Sequence, residues 1–153
     1  MSDSEASTAE RVAGHCGLWC SMEVIGDRWS LLILRDAFDG KCHFEQFQDS
    51  LGIARNILAS RLQRLVEHGV MSRTPHPDDK RRVVYQLTEK GKGVFPLLTA
   101  FREWGERWAS GGTHPCAQIL VDRRDHLPVR PVRVLADDGR ELAPQDTIWI
   151  KTA

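Results

Sequence analysis

Apolar residues recur at helical spacing in the first part of the chain. Leu18, Met22 and Ile25 predict one face of a helix, which Gly26 interrupts. A second helix is predicted in "DRWSLLILRDAF", where Asp27 stands at the N-cap position and apolar side chains cover nearly every side. Because a helix that is apolar all round is normally buried, this segment is predicted to be the central helix of the core.

Two further helices are predicted on either side of a short break. Phe44, Phe47 and Leu51 share one face of a short helix that Gly52 ends. After the break, the stretch "RNILASRLQRLVEHG" predicts an amphipathic helix. Its apolar side holds Leu58, Leu62, Leu65 and Val66, and its polar side holds Asn56, Ser60, Gln63 and Glu67, with Arg64 at the edge.

Beyond Gly69 the pattern changes to that of β-strands. The runs "VMSRT" and "RVVYQLT" flank the segment "PHPDDKR", whose prolines and aspartates favour a turn. A β-hairpin is therefore predicted, with Lys80, Arg81 and Arg82 at or near its tip.

A long helix and a small β segment complete the predicted elements. Thr88 is placed to cap a helix that continues to the tryptophans near residue 108, although two glycines and Pro96 weaken its first turns. Short β-like runs follow in "AQILV", "VRVL" and "TIWI". The predicted fold is mainly α with a small β component. It comprises a flexible tail (1–14), a domain with a long C-terminal helix (15–110) and a small β extension (111–153).

Composition changes this picture in one respect. The net charge is zero, but residues 1–27 hold one Arg against five acids, and residues 55–92 hold nine Lys and Arg against four acids. A local basic face is what contact with phosphates requires, although a solvated basic surface would give the same count.

Neither a membrane span nor a secretory signal is apparent. No apolar run approaches the roughly 18 residues that a span needs, so we expect a soluble, cytoplasmic protein with no membrane partner. The four cysteines, at positions 16, 20, 42 and 116, are then expected to be reduced thiols.

The order of these elements is that of a winged helix-turn-helix. In that arrangement the second helix of the motif lies in the DNA major groove, and the basic hairpin contacts the backbone or the minor groove. Polar side chains on the outer face of the helix can contact base edges, and cationic ones suit phosphates. A surface helix with merely solvated polar residues is the alternative interpretation. The candidates for base contact are Arg55, Asn56, Ser60 and Gln63, and those for the DNA backbone are Arg61, Arg64, Lys80, Arg81 and Arg82.

Several separate blocks also resemble a known family. The segments "MEVIGDRWSLLILRDAF", "YQLTEKG" and "FREWGERW" are similar in order and spacing to the HxlR family of bacterial transcriptional regulators, over about residues 16–108. The resemblance implies homodimers that bind palindromic or repeated operators in double-stranded DNA and pair through their N- and C-terminal helices. It places Leu18, Met22, Phe101, Trp104 and Trp108 at the dimer seam. The wing also resembles that of the MarR family, where an aspartate braces an arginine, a role open to Asp79 and Arg81.

Two positions depart from the family pattern. Ala54 opens the second helix of the motif where the family commonly has Ser, so a side-chain N-cap worth about 1 kcal/mol is lost. Cys16 aligns with a cysteine that serves as an electrophile or redox sensor in some members, and Cys20 is an addition to the pattern. The two cysteines fit either a sensor pair or small buried apolar residues at an interface.

Other chemistry finds little support in the sequence. His114 and Cys116 resemble part of a zinc ribbon, but no second pair of ligands follows them, so no metal is expected. No nucleophile with a base at useful spacing and no phosphate-binding glycine loop is present, so neither catalysis nor a cofactor is expected.

The sequence therefore predicts a homodimeric DNA-binding repressor that responds to a redox signal, an electrophile or a small-molecule effector. The alternative is a cytoplasmic thiol- or small-molecule-binding protein that uses the winged helix only as an interaction scaffold. The basic wing distinguishes them, because a scaffold does not need it.

Overall fold

The computed structural model describes residues 16–109 and 118–150. The chain divides into two compact units, Met1–Phe95 and Pro96–Ala153. The described elements are α1 (Gly17–Ile25), α2 (Arg28–Phe38), α3 (Phe44–Leu51), α4 (Arg55–Glu67), β1 (Met71–Pro75), β2 (Val83–Leu87), α5 (Glu89–Lys92) and α6 (Phe95–Trp104), followed by a π-helical turn (Gly105–Ala109) and a 3-10 turn (Pro144–Asp146).

Helix α2 forms the centre of the first unit, as its sequence predicts. Asp27 caps it, since one carboxylate oxygen accepts hydrogen bonds from the backbone N–H groups of Trp29 and Ser30, each at 3.0 Å. Ile33 and Leu34 are fully buried. The other buried apolar residues of the unit are Ile25, Phe47, Ile53, Leu58, Leu62, Leu65, Val70, Met71 and Val84.

The turn between α3 and α4 gives the helix-turn-helix its angle. Gly52 ends α3 with a φ of +59°, and its N–H donates to the carbonyl of Gln48 at 2.9 Å. This left-handed conformation is strained for residues with a Cβ, which explains the glycine at this position. Ala54 then opens α4 without a side-chain hydrogen bond, as the sequence predicts.

The predicted β-hairpin is confirmed. Strands β1 and β2 pair antiparallel, from Met71 opposite Leu87 to Pro75 opposite Val83. The N–H of Tyr85 donates to the carbonyl of Cys42 at 2.8 Å, which ties the hairpin to the segment before α3. The wing is therefore anchored directly to the helix-turn-helix.

The single long helix expected after Thr88 is divided in the structure. Thr88 caps α5, where its hydroxyl oxygen accepts from the N–H of Gly91 at 3.1 Å, but α5 ends at Lys92 and α6 begins only at Phe95. Glycine has a low helix propensity, and Pro96 has no N–H to donate back across the gap.

The described part of the C-terminal extension forms turns rather than regular strands. Within residues 118–150, the β pairing is limited to two isolated antiparallel bridges, between Val121 and Pro128 and between Leu135 and Glu141. The predicted strand in "TIWI" leaves Trp149 fully exposed, without a layer to pack against. Across all the described residues, no helix has the length and hydropathy needed to cross a membrane.

Candidate nucleic-acid interface

Helix α4 presents one buried face and one exposed polar face. Leu58, Leu62 and Leu65 are fully buried and fix the helix to the core. Asn56, Ser60 and Gln63 are exposed on the opposite side, and Arg55, the fourth candidate for base contact, is exposed in the first turn. The side chain of Gln63 donates to Glu67 at 2.8 Å, which leaves its second N–H and its carbonyl oxygen for contact with a base.

A cationic cleft lies between the start of α4 and the wing. It has a volume of about 450 Å³, and Arg55, Arg81 and Arg82 contribute three positive charges to its lining. The guanidinium of Arg55 lies 4.8 Å from the centre of the Phe44 ring. This cation–π contact holds the positive charge at the N-terminus of α4. The complete lining is His43, Phe44, Glu45, Gln46, Arg55, Arg81, Arg82, Val83 and Tyr85.

The wing loop is shaped by one aspartate. A carboxylate oxygen of Asp79 accepts from the backbone N–H of Arg81 at 3.0 Å, and the carbonyl of Asp79 accepts from the N–H of Arg82 at 2.9 Å. Asp79 thus braces the backbone at Arg81, through its side chain, and at Arg82, through its carbonyl. Lys80, Arg81 and Arg82 are all exposed.

Two of the candidates for DNA-backbone contact are engaged within the protein. The Nε atom of Arg61 lies 3.0 Å from a carboxylate oxygen of Asp27, and the guanidinium of Arg64 donates to the backbone carbonyl of Glu23. Both arginine side chains are half-buried, and the Nε atom of each is shielded from solvent. Their contact with DNA stays a prediction.

The pKa of Asp27, at the N-cap of α2, is lowered by its contacts. Burial raises the pKa of Asp27, but hydrogen bonds from the hydroxyl and N–H of Ser30, together with the charge of Arg61, more than offset that effect. The pKa of Asp27 therefore lies below its ordinary value of 3.8, and the carboxylate stays charged beside Arg61 at neutral pH.

The candidate sensor and dimer residues lie on accessible parts of the chain. Cys16 is half-buried at the N-cap of α1, and Cys20 is exposed one turn later. The five predicted dimer residues, Leu18, Met22, Phe101, Trp104 and Trp108, are each more than half exposed. His114 and Cys116 lie outside the described residues, and no cluster of three or more metal-ligating side chains occurs within them.

Sequence reasoning missed the aromatic and imidazole parts of the cleft. Periodicity assigns Phe44 only to the apolar face of α3, yet its ring also supports Arg55. The ring nitrogen Nδ1 of His43 lies 3.2 Å from the carbonyl of Val83. These residues are separated along the chain from their partners, so periodicity within one element gave no signal for either contact.

Comparison with known proteins places this geometry in a family. The profile of the HxlR-like helix-turn-helix family matches residues 24–112, more than half of the chain. An HTH-type transcriptional regulator of Mycobacterium tuberculosis, Rv3095, is 43% identical over 88 residues, which are 58% of this chain and 56% of that protein. The chain therefore spans little more than half of the length of this relative.

Two solved structures extend the comparison to the fold. The crystal structure of PA1607, a proposed transcription factor, matches with a TM-score of 0.83 and 42% identity, over 94% of this chain and 99% of that chain. The redox regulator HypR in its reduced form matches with a TM-score of 0.55 and 25% identity, over 63% of this chain and 99% of that chain. The winged-helix fold predicted from the sequence is confirmed by these similarities.

Proposed function

The chain belongs to the HxlR-like helix-turn-helix family of transcriptional regulators, and on that premise we propose that it is a homodimeric repressor that binds palindromic operators. In this proposal α4 lies in the major groove of double-stranded DNA. The observation that supports it most directly is the exposed polar face of α4 beside the cationic cleft at the root of the wing.

Specificity is proposed to come from the first two turns of α4. Asn56 can make a bidentate contact with adenine, and Arg55 can reach a guanine or a phosphate, each good bidentate pair adding about 1–3 kcal/mol of discrimination. Ser60 and Gln63 follow on the same face. Affinity is proposed to come largely from phosphate contacts of Lys80, Arg81 and Arg82, and so to fall steeply with salt.

The homodimer is supported by exposed apolar side chains on two helices. Leu18 and Met22 on α1, and Phe101 and Trp104 on α6, expose more than half of their surfaces, and Trp108 in the following turn does the same. Leu18 and Met22 are one turn apart, as are Phe101 and Trp104, so each helix carries neighbouring exposed apolar side chains, and contiguous patches of this kind mark interaction surfaces. A symmetric dimer would bind two half-sites about one helical turn of DNA apart.

The signal is proposed to act on the thiols of α1. The match to the redox regulator HypR supports a redox signal, and Cys16 at the N-cap of α1 and Cys20 one turn later provide two thiols at this end of the helix. Diamide removes two hydrogen atoms from a pair of thiols and leaves a disulfide. We expect diamide to weaken operator binding by the wild type but not by Cys16→Ser, with Cys42→Ser as the matched control. An equal response of Cys16→Ser and wild type removes Cys16 from the mechanism, and a small-molecule effector then becomes the signal to seek.

The test of DNA binding uses an operator selected from random duplexes. Gel-shift titrations at moderate salt compare wild type with the double variant Asn56→Ala, Arg81→Ala, and with Arg130→Ala, which removes one exposed cation outside the first unit. We expect the double variant to bind much more weakly than the other two. If selection yields no preferred sequence and all three bind equally weakly, DNA binding is refuted and the scaffold alternative is favoured.

A further inference from the structure

Two arginines of α4 each contact a helix end at the junction between α1 and α2. Arg61 and Arg64 are three residues apart and so lie on one side of α4. Arg64 donates to the carbonyl of Glu23, in the last turn of α1, and Arg61 pairs with Asp27, the N-cap of α2. Both ends of the α1–α2 junction are therefore bound to α4.

The contact of Arg64 suits the chemistry of a helix C-terminus. The last four carbonyls of a helix lack N–H partners within it, and the helix dipole places partial negative charge there. In α1 the carbonyl of Met22 accepts from the N–H of Gly26 at 2.9 Å, and the carbonyl of Glu23 accepts from Arg64. The guanidinium thus supplies both a donor and a positive charge where α1 ends.

Arg61 contacts the N-terminus of α2 through its N-cap residue, Asp27. The carboxylate of Asp27 accepts from the N–H groups of Trp29 and Ser30 at 3.0 Å and from the hydroxyl of Ser30 at 2.5 Å. The carboxylate of Asp27 is therefore held in place by α2. The 3.0 Å ion pair between Asp27 and Arg61 links α2 to α4. The Asp27 side chain is about one-third exposed, as is that of Arg61, so the pair is partly shielded from water.

Gly26, which directly follows α1, has no space for a side chain. A Cβ atom at Gly26 would lie 2.4 Å from the carbonyl oxygen of Met22, so the chain between α1 and α2 passes close to the end of α1. Together with the buried leucines, these two contacts hold α4 at one rotation about its own axis. That orientation decides which way Asn56 and Ser60 face.

From this geometry we infer that Arg61 and Arg64 are positioning residues that orient α4 for base contact, and that they do not bind phosphate. The inference rests on the proposed function. The shielded Nε atoms support it, because that edge of each guanidinium is turned away from solvent and from any phosphate.

Salt dependence separates positioning from phosphate contact. Each phosphate contact contributes about 0.9 to the slope of log K against log salt concentration, whereas a residue that only orients the helix contributes nothing to it. Dissociation constants are measured over a salt series for the selected operator and for a scrambled duplex, using wild type, Arg64→Gln and Arg64→Lys, with Arg81→Gln as the matched comparison.

We expect Arg64→Gln to weaken operator binding about tenfold at fixed salt, to leave scrambled-duplex binding unchanged and to keep the wild-type slope. Arg64→Lys should recover part of the loss, because an ammonium group can donate to the same carbonyl. Arg81→Gln should weaken both duplexes and reduce the slope by about 0.9 per protomer. A slope reduced equally by Arg64→Gln identifies a phosphate contact and overturns the inference. Equal losses on both duplexes, with circular dichroism showing a fully folded variant, overturn it as well.

The variant Asp27→Asn should change DNA binding in opposite directions under the two interpretations of Arg61. Asn caps helices as well as Asp, so α2 keeps its cap while Arg61 loses its charged partner. If Arg61 bound phosphate, its release and the loss of one negative charge would tighten binding; if Arg61 positions α4, operator binding weakens. If the wild-type protein prefers no DNA sequence, the proposed function is refuted and this inference falls with it. The operator selection gives that result before any variant is compared.

Discussion

The missing N-cap of α4 allows a prediction about the stability of the helix that contacts DNA. Ala54 occupies the N-cap with φ −61° and ψ 137° and makes no side-chain hydrogen bond. Ala54→Ser places a hydroxyl oxygen where it can accept from an N–H of the first turn. We expect this change to stabilise the first unit.

The structure places the gain in the lower part of the usual range. An N-cap Ser accepts from the second or third N–H of the helix, here that of Asn56 or Ile57, for about 0.5–2 kcal/mol. The N–H of Ile57 already donates to the carbonyl of Ala54 at 3.0 Å, as does that of Leu58. Because the N–H of Ile57 already has an acceptor, we expect Ala54→Ser to raise the free energy of unfolding by only about 0.5–1 kcal/mol.

Urea unfolding followed by circular dichroism measures this gain. With a slope of about 2 kcal/mol per molar urea, the midpoint should rise by roughly 0.3–0.5 M. Ala59→Ser is the matched control, because it makes the same change at an exposed position inside the same helix. There Ser costs a few tenths of a kcal/mol in helix propensity, so the midpoint should fall. The reasoning is refuted if both variants shift the midpoint in the same direction by the same amount.

Three further predictions concern the buried core, the pH dependence of stability and the contact between Gly91 and Val70. Leu62→Ala, at a fully buried position, should lower the free energy of unfolding by about 2–5 kcal/mol in urea titrations. The pKa of Asp27 is lowered by folding, so its stabilising effect is complete above pH 3.8 and is lost as the pH falls through the folded pKa; the stability difference between wild type and Asp27→Asn should shrink accordingly in acid titrations. Gly91→Ala should destabilise by about 1–3 kcal/mol in thermal unfolding, because the added Cβ would lie 2.1 Å from the carbonyl oxygen of Val70.

Each of these has a control within the chain. Ile57→Ala, on the more exposed side of α4, should cost much less than Leu62→Ala, and equal costs would contradict the burial argument. A stability difference between wild type and Asp27→Asn that stays constant through acid pH would contradict the pKa argument. Gly17→Ala has open space around its Cβ, so it should not share the loss predicted for Gly91→Ala.

Local patterns predicted the elements well but not their mutual contacts. The apolar stripe of α4 is visible in the sequence because Leu58, Leu62 and Leu65 repeat at helical spacing, and all three are buried. Arg64 carries no such signal, since its partner at residue 23 belongs to another helix. Charge and length alone made it a candidate for phosphate contact.

The C-terminal part of the chain shows a second limit of local patterns. The run "TIWI" has the β-branched and aromatic composition of a strand, yet a strand needs a partner for its backbone and a layer for its side chains. Ile148 and Trp149 have neither a ladder nor burial within the described residues. Composition therefore predicted a preference that packing among residues 16–109 and 118–150 does not fulfil.

The contacts along α4 imply a division between its two halves. Its first turn holds Arg55 in the cleft, whereas Arg61, Gln63 and Arg64, farther along, all bind groups of the protein. This agrees with the docking of recognition helices, whose N-terminal residues contact the bases.

The division fixes how strongly DNA binding should depend on salt. If phosphate contact is limited to Arg55 and the three wing cations Lys80, Arg81 and Arg82, a dimer makes about eight contacts and the slope of log K against log salt is about −7. If Arg61 and Arg64 also bound phosphate, the slope would be about −11. A measured slope near the steeper value would show that Arg61 and Arg64 bind phosphate as well, and would contradict the division of α4 into a DNA-contacting half and a half bound to the protein.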